Sequence, residues 1–160
     1  MKVAFSRPKG VPVLTCTRDD GSVTYSKSRH GAFFGPHDLM HYAVETALGL
    51  KDSFFGLIAQ GWSIESFDAP GIAARLPAES IVTEHIVNLL MQEQASGAAA
   101  DGAAFNEVLR AATAGGKRGG PTPTRVITDD ELGAIRARFA ELLQRYRSLG
   151  TDERLELEFV

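Results

Sequence analysis

Three residues in one short stretch have the types and spacing to do chemistry together. His37, His41 and Glu45 recur every four residues in Gly35-Pro36-His37-Asp38-Leu39-Met40-His41-Tyr42-Ala43-Val44-Glu45. On a helix, at about 100° per residue, successive members of such a series sit about 40° apart and run up one side. Two imidazoles at i and i+4 can chelate one divalent ion, because their ring nitrogens reach a common point above the helix; this is the arrangement used by zinc hydrolases with an H-E-x-x-H motif. Here the pattern reads H-D-x-x-H, with Asp38 in the first turn, where a carboxylate also complements the helix dipole. Asp is a methylene shorter than Glu, so Asp38 does not reproduce the base of that motif.

Spacing also limits the ligand set. At 1.5 Å per residue, positions 37 and 45 are separated by roughly 12 Å along the axis. Glu45 therefore pairs with His41, binds a second ion, or orients a histidine from behind. The third ligand must come from another element, and the expected one is His85, which falls amid the apolar stripe of a later helix. The sequence reading is thus a metal set of His37, His41 and His85, with Asp38 and Glu45 as catalytic or orienting acids. Imidazole ligands without a thiolate favour Zn²⁺. An open coordination position would activate water for hydrolysis of a small substrate. The competing reading is a non-enzymatic interaction or binding module, in which the histidines are structural.

The elements that must hold these residues follow from periodicity. Segment 2–6 alternates, with Val3 and Phe5 on one face; 13–17 and 23–26 flank the hairpin signal Asp20-Gly21, where glycine supplies φ > 0. At the other end of the chain Leu155, Leu157 and Phe159 alternate with Glu156 and Glu158 as a half-buried strand. A lone hairpin is marginal in water, so these pieces are expected in one antiparallel sheet. Between them lie helical patterns. Pro36 and Pro77 each suit a first turn, Ser53 is a cap for the apolar 54–59, and 101–114 carries Phe105, Val108, Leu109 and Ala112 on one face. Thr128-Asp129-Asp130-Glu131 is a capping box opening a long helix that turns Leu132, Ile135, Phe139, Leu142, Leu143, Tyr146 and Leu149 inward. The expected fold is α+β: a small antiparallel sheet of N-terminal strands plus the C-terminal strand, covered by about five helices, in one domain over 1–160. The glycine- and proline-rich 115–124 reads as a flexible connector rather than a phosphate loop, because no G-K-[ST] ending follows.

Composition narrows the classes. Seventeen Lys and Arg against twenty Asp and Glu give a net charge of −3, unlike a dedicated nucleic-acid binder, and the arginines of the last helix alternate with acids. The single cysteine, Cys16, excludes an intramolecular disulfide and a paired-cysteine metal or redox site. No apolar run reaches the length of a membrane span, and the first residues lack the apolar core of a signal peptide. A cytoplasmic protein is expected, acting on a small molecule or a protein partner. Residues 33–45 followed by 54–62, Phe54-Phe55-Gly56-Leu57-Ile58-Ala59-Gln60-Gly61-Trp62, resemble a recurring pattern in uncharacterised bacterial proteins. The resemblance implies a small bacterial cytosolic protein and brings no activity with it.

Overall fold

The computed structural model describes residues 1–27, 34–114 and 125–160. The expected connector at 115–124 lies outside the described residues. Among those described, the order is β1 (Lys2–Ser6), β2 (Val13–Thr17), β3 (Val23–Lys27), α1 (Phe34–Leu48), α2 (Phe54–Ala59), α3 (Ala78–Ser96), α4 (Gly102–Ala114), α5 (Asp129–Arg147) and β4 (Arg154–Glu158). Short 3₁₀ turns at Ile64–Asp68 and Ile72–Ala74 join α2 to α3. The sheet order is β3-β2-β1-β4, antiparallel throughout, so the α+β expectation holds: both chain ends meet in one sheet.

Alternation decides which face is covered. Val3 sits opposite both Cys16 and Leu157, and Phe5 opposite Leu14 and Leu155. All six are buried, whereas Lys2, Glu156 and Glu158 face outward. The hairpin turns where Asp20-Gly21 places it, with Gly21 at φ 82° and the Asp20 carboxylate accepting from the Ser22 amide at 2.8 Å. β1 and β2 are the two central strands, β1 joining the N-terminal hairpin to β4, and the α-amino group of Met1 reaches the Phe159 carbonyl at 2.9 Å.

α1 lies across this layer and packs against both α3 and α5. Leu39, Met40, Ala43 and Val44 are buried, and the Tyr42 hydroxyl donates to the Glu158 carbonyl at 2.6 Å, tying helix to sheet. α5 starts at the expected capping box: the Thr128 hydroxyl accepts from the Glu131 amide at 3.2 Å and the Glu131 carboxylate accepts from the Thr128 amide at 2.9 Å.

Three local expectations shift. α1 begins two residues before Pro36, which lies within its first turn. On α4 the buried residues are Gly102, Phe105, Leu109 and Thr113, while Val108 is half exposed, so the stripe is rotated by about one position. Ser53 stands at the start of α2, but its hydroxyl bonds the Thr83 hydroxyl at 2.6 Å rather than capping α2.

The register that turns Cys16 inward has a chemical consequence. Burial, with the Asp38 and Glu45 charges adding, pushes its thiol pKa up to about 12. The thiolate is the reactive form. Folded protein at pH 8 is therefore expected to leave a disulfide reagent such as Ellman's unreacted, with one equivalent consumed on unfolding in guanidinium. Rapid reaction of the folded protein would contradict the inward register.

Candidate metal centre

The site grows from one buried carboxylate. Glu45 is 0% exposed. A carboxylate in that position is tolerated only when its oxygens are occupied by donors. One oxygen, Oε2, accepts from the amides of Phe55 at 2.9 Å and Gly56 at 3.2 Å. These are orphan amides of the first turn of α2, so Glu45 supplies the cap expected from Ser53. Gly56 is required there: a Cβ on it would collide with the Lys51 carbonyl. The other oxygen, Oε1, faces His41 Nδ1 at 3.3 Å. His41 is thereby held from behind, and its Nε2 points to Glu84 Oε2 at 3.1 Å.

His37 repeats the pattern one turn earlier. Its Nδ1 lies 3.8 Å from Asp38 Oδ1 and its Nε2 lies 3.5 Å from Glu84 Oε1. The two rings meet edge to face, 4.9 Å between centroids. Each imidazole therefore has a carboxylate of its own helix beside Nδ1 and the α3 carboxylate in front of Nε2. His37, His41 and Glu84 each offer one ligand atom, and these atoms all lie within 4.8 Å of one another. A tetrahedral ion with bonds of about 2.0–2.1 Å spaces its ligand atoms about 3.3 Å apart. Here Glu84 Oε2 stands 3.1 Å from His41 Nε2 and Oε1 stands 3.5 Å from His37 Nε2, so each histidine faces its own oxygen of the carboxylate.

The structure sets the rings of the expected histidine pair side by side and brings Glu84 to them. His85, the expected third ligand, is the next residue on α3 and lines the adjacent cavity, but its atoms are not in the converging group. Among the buried residues of α3 are Ser80, Thr83 and Val87, which turn the helix so that Glu84, one turn beyond Ser80, faces α1. Glu45, expected as an acid or an orienting group, takes the second role: two amides and an imidazole occupy it, and it does not line the cavity. Asp38 does line it and remains open to a bound molecule.

That cavity encloses about 890 Å³ between the start of α1, α3 and the 3₁₀ turns. Its walls include Leu14, Phe54, Ile64, Phe67 and Ile72, with His37, His41, Asp38 and Glu84 among its polar residues and Lys27, Asp68 and His85 also on the lining. Phe54 packs on Phe67 at 4.9 Å and on His41 at 5.5 Å, so the apolar wall begins directly beside the histidines.

Charges are coupled across the cluster. Burial by itself would lower the His41 pKa, but hydrogen bonding to Glu45 and Glu84, and their charges, raise it to about 9. Burial likewise opposes protonation of His37, and Asp38 and Glu84 overcome it, so its pKa lies above the ordinary histidine value. Hydrogen bonds with both histidines hold Glu84 far below the usual carboxylate range. Burial pushes Asp38 and Glu45 up, each against the pull of its histidine.

These shifts set a pH dependence for metal-free protein. The folded state keeps a proton on His41 that the unfolded chain releases near its ordinary value of 6.5. Stability is then fully present below about pH 6.5 and falls as pH rises toward 9, with a slope approaching about 1.4 kcal/mol per pH unit. Glu45, also raised, acts in the same direction. Urea midpoints in EDTA from pH 6 to 9 are expected to show this decline in wild type and a flatter profile in His41→Gln. Equal slopes would mean that the proton is not held there.

No family model, curated protein or solved structure matches the chain. The chemistry open to the centre accordingly rests on its own geometry.

Proposed function

We propose that His37, His41 and Glu84 bind one divalent cation, Zn²⁺ by their ligand chemistry, and that the protein hydrolyses a small, largely apolar substrate held in the adjoining cavity. The observation that carries this reading is the convergence of both Nε2 atoms on Glu84 while Glu45 and Asp38 stand behind the Nδ1 atoms. Two histidines and a carboxylate are the ligand count of catalytic rather than structural zinc sites, leaving a position for water. Carboxylates behind the ring nitrogens fix tautomer and orientation, the role such partners have around metal ligands. When bound, the ion would lower the pKa of its water and polarise an acyl oxygen. Asp38 and Glu45 position His37 and His41 from the Nδ1 side of each ring.

A second reading has its own support. Both nitrogens of His41 already face carboxylates, at 3.3 and 3.1 Å, so the cluster is electrostatically satisfied as an ion-pair lock between α1 and α3. In an interaction module nothing more would be required of it.

Metal content and melting curves separate the two. Purified protein dialysed against Zn²⁺ is expected to retain about one equivalent. At a free concentration of about 100 times Kd the gain in stability is about 2.7 kcal/mol. For a chain of this size that corresponds to a rise in Tm of roughly 5–10 °C. The rise should disappear in His41→Ala and Glu84→Ala, persist in His85→Ala, and fade below about pH 6 as protons compete for imidazole. Zinc-loaded wild type should hydrolyse an apolar aryl ester such as p-nitrophenyl butyrate, and Glu84→Ala should not. Absence of both bound metal and a metal-dependent shift leaves the ion-pair lock as the function of the cluster.

A further inference from the structure

β3 ends the sheet with one long side unpaired. The hairpin bonds set its pattern: the Arg18 amide donates to the Ser22 carbonyl at 2.9 Å, so Arg18 and Ser22 are a hydrogen-bonded pair. Along an antiparallel ladder such pairs alternate with non-bonded ones. In the register Thr17↔Val23, Cys16↔Thr24, Thr15↔Tyr25, Leu14↔Ser26 and Val13↔Lys27, the main-chain groups of Thr24 and Ser26 therefore turn to β2, and those of Val23, Tyr25 and Lys27 turn away from it. Nothing among the described residues pairs with that second set. The 3₁₀ turn at Ile64–Asp68 meets β3 from the covered face, where the Ile64 amide donates at 3.0 Å to the hydroxyl of the buried Thr24.

The two edges of the sheet differ in how they are protected. β4 shows Arg154, Glu156 and Glu158 outward, and charge along an edge strand is an ordinary guard against pairing. β3 carries a charge only at its end, Lys27. Val23 and Tyr25, both strong strand formers, are 56% and 58% exposed side by side on its open face.

We propose that β3 pairs with β3 of a second copy of this chain, antiparallel about a two-fold axis at Tyr25, joining two sheets edge to edge. The edge is complementary to itself in this register. Tyr25 faces Tyr25 of the partner subunit, Thr24 faces the partner's Ser26, and Val23 faces the partner's Lys27. An aromatic pair and a pair of hydroxyls are favourable cross-strand neighbours, and no like charges meet. Lys27, which forms no ion pair among the described residues, comes to the end of the ladder where the acidic Asp19-Asp20 turn of the other copy lies. The same operation on β4 would set Glu156 against its own copy, so that edge stays apart. A two-fold contact uses both β3 edges and closes, so association stops at the dimer. Two five-residue strands cover less than the roughly 1,200 Å² of the smaller stable interfaces, so the dimer is reversible.

Disulfide trapping on the whole chain tests the register. Cys16 is buried, which leaves an introduced surface thiol as the reactive one. Cα atoms of a hydrogen-bonded pair are about 5.5 Å apart, within disulfide reach. Position 25 meets itself at the axis, whereas the two copies of position 23 are about 14 Å apart along the strands. Tyr25→Cys is expected to become a disulfide-linked dimer under mild oxidation while the equally exposed Val23→Cys stays monomeric. Val23→Cys mixed with Lys27→Cys should cross-link as a heterodimer. In sedimentation across a dilution series, wild type should rise with concentration toward twice the monomer mass and no further. Tyr25→Pro removes an N–H that β2 does not use, and Tyr25→Lys keeps that N–H but sets two ammonium groups together at the axis. Both should lose association at every concentration with wild-type circular dichroism; if the proline variant misfolds, the lysine variant decides. Equal cross-linking at 23 and 25, wild type monomeric throughout, growth beyond a dimer, or association of Tyr25→Lys like wild type overturns the proposal.

Discussion

The buried carboxylate of Glu45 is the interaction on which the rest of this structure depends. It lies wholly out of water on α1, and the cost of putting it there is offset only if every oxygen finds a donor. Two donors come from the start of α2 and one from His41. The first pair fixes where the chain re-enters after α1, because α2 cannot move without stripping the carboxylate of its amides. The third fixes the ring of His41, and through it the direction in which Nε2 points. One side chain thereby joins the packing of a short apolar helix to the orientation of the group most central to the metal centre.

The scaffold around it follows from what must be buried on each side of α1. Toward the sheet, Tyr42 reaches the β4 backbone while its ring meets Phe55 and Phe159. Toward α3, the His41 edge meets Glu84. Toward α5, the start of α1 carries glycine, and the aromatic ring of Tyr146 fills the space. The hairpin is joined to this arrangement through Arg18, whose guanidinium donates to the carbonyls of Ile58 and Trp62 at the end of α2, both at 2.5 Å. The Ile58 carbonyl also accepts from the Gly61 amide at 3.0 Å, and the arginine adds its donors there and at Trp62, just beyond α2, holding sheet and helix together.

The cavity is what this arrangement leaves open. Between α2 and α3 the chain runs through 3₁₀ turns instead of a packed helix, and Ile64, Phe67 and Ile72 form a wall rather than a plug. The histidines and Glu84 stand on the α1 and α3 side, while Lys27 of β3 and Asp68 of the first 3₁₀ turn bring charge from other walls. A molecule entering would exchange water for aromatic and aliphatic contact on one side and meet two imidazoles and carboxylates on the other.

Local features were legible in the sequence because short-range geometry is periodic. Alternation in 2–6 and 155–159, the Asp20-Gly21 turn and the Thr128–Glu131 capping box each depend on residues a few positions apart, and each appears as read. The same holds for His37 and His41, whose spacing alone places their rings side by side. The contributions of Glu84, Tyr146 and Glu45 were decided by tertiary structure. Apolar residues on α3, among them Ile81, Val82, Ile86, Val87, Leu89 and Leu90, spread around much of the helix, so its pattern does not say which face turns to α1; a rotation of one residue, about 100°, exchanges His85 for Glu84. Tyr146 reads as an ordinary core residue until Gly35 is brought against it from more than a hundred positions away in the chain. Glu45 reads as one more polar residue of a helix until the amides of α2 arrive at its carboxylate. Helical spacing is a property of one segment, whereas the pairing of a buried charge or hydroxyl belongs to whichever segment packs against it. That choice is made by the whole core at once.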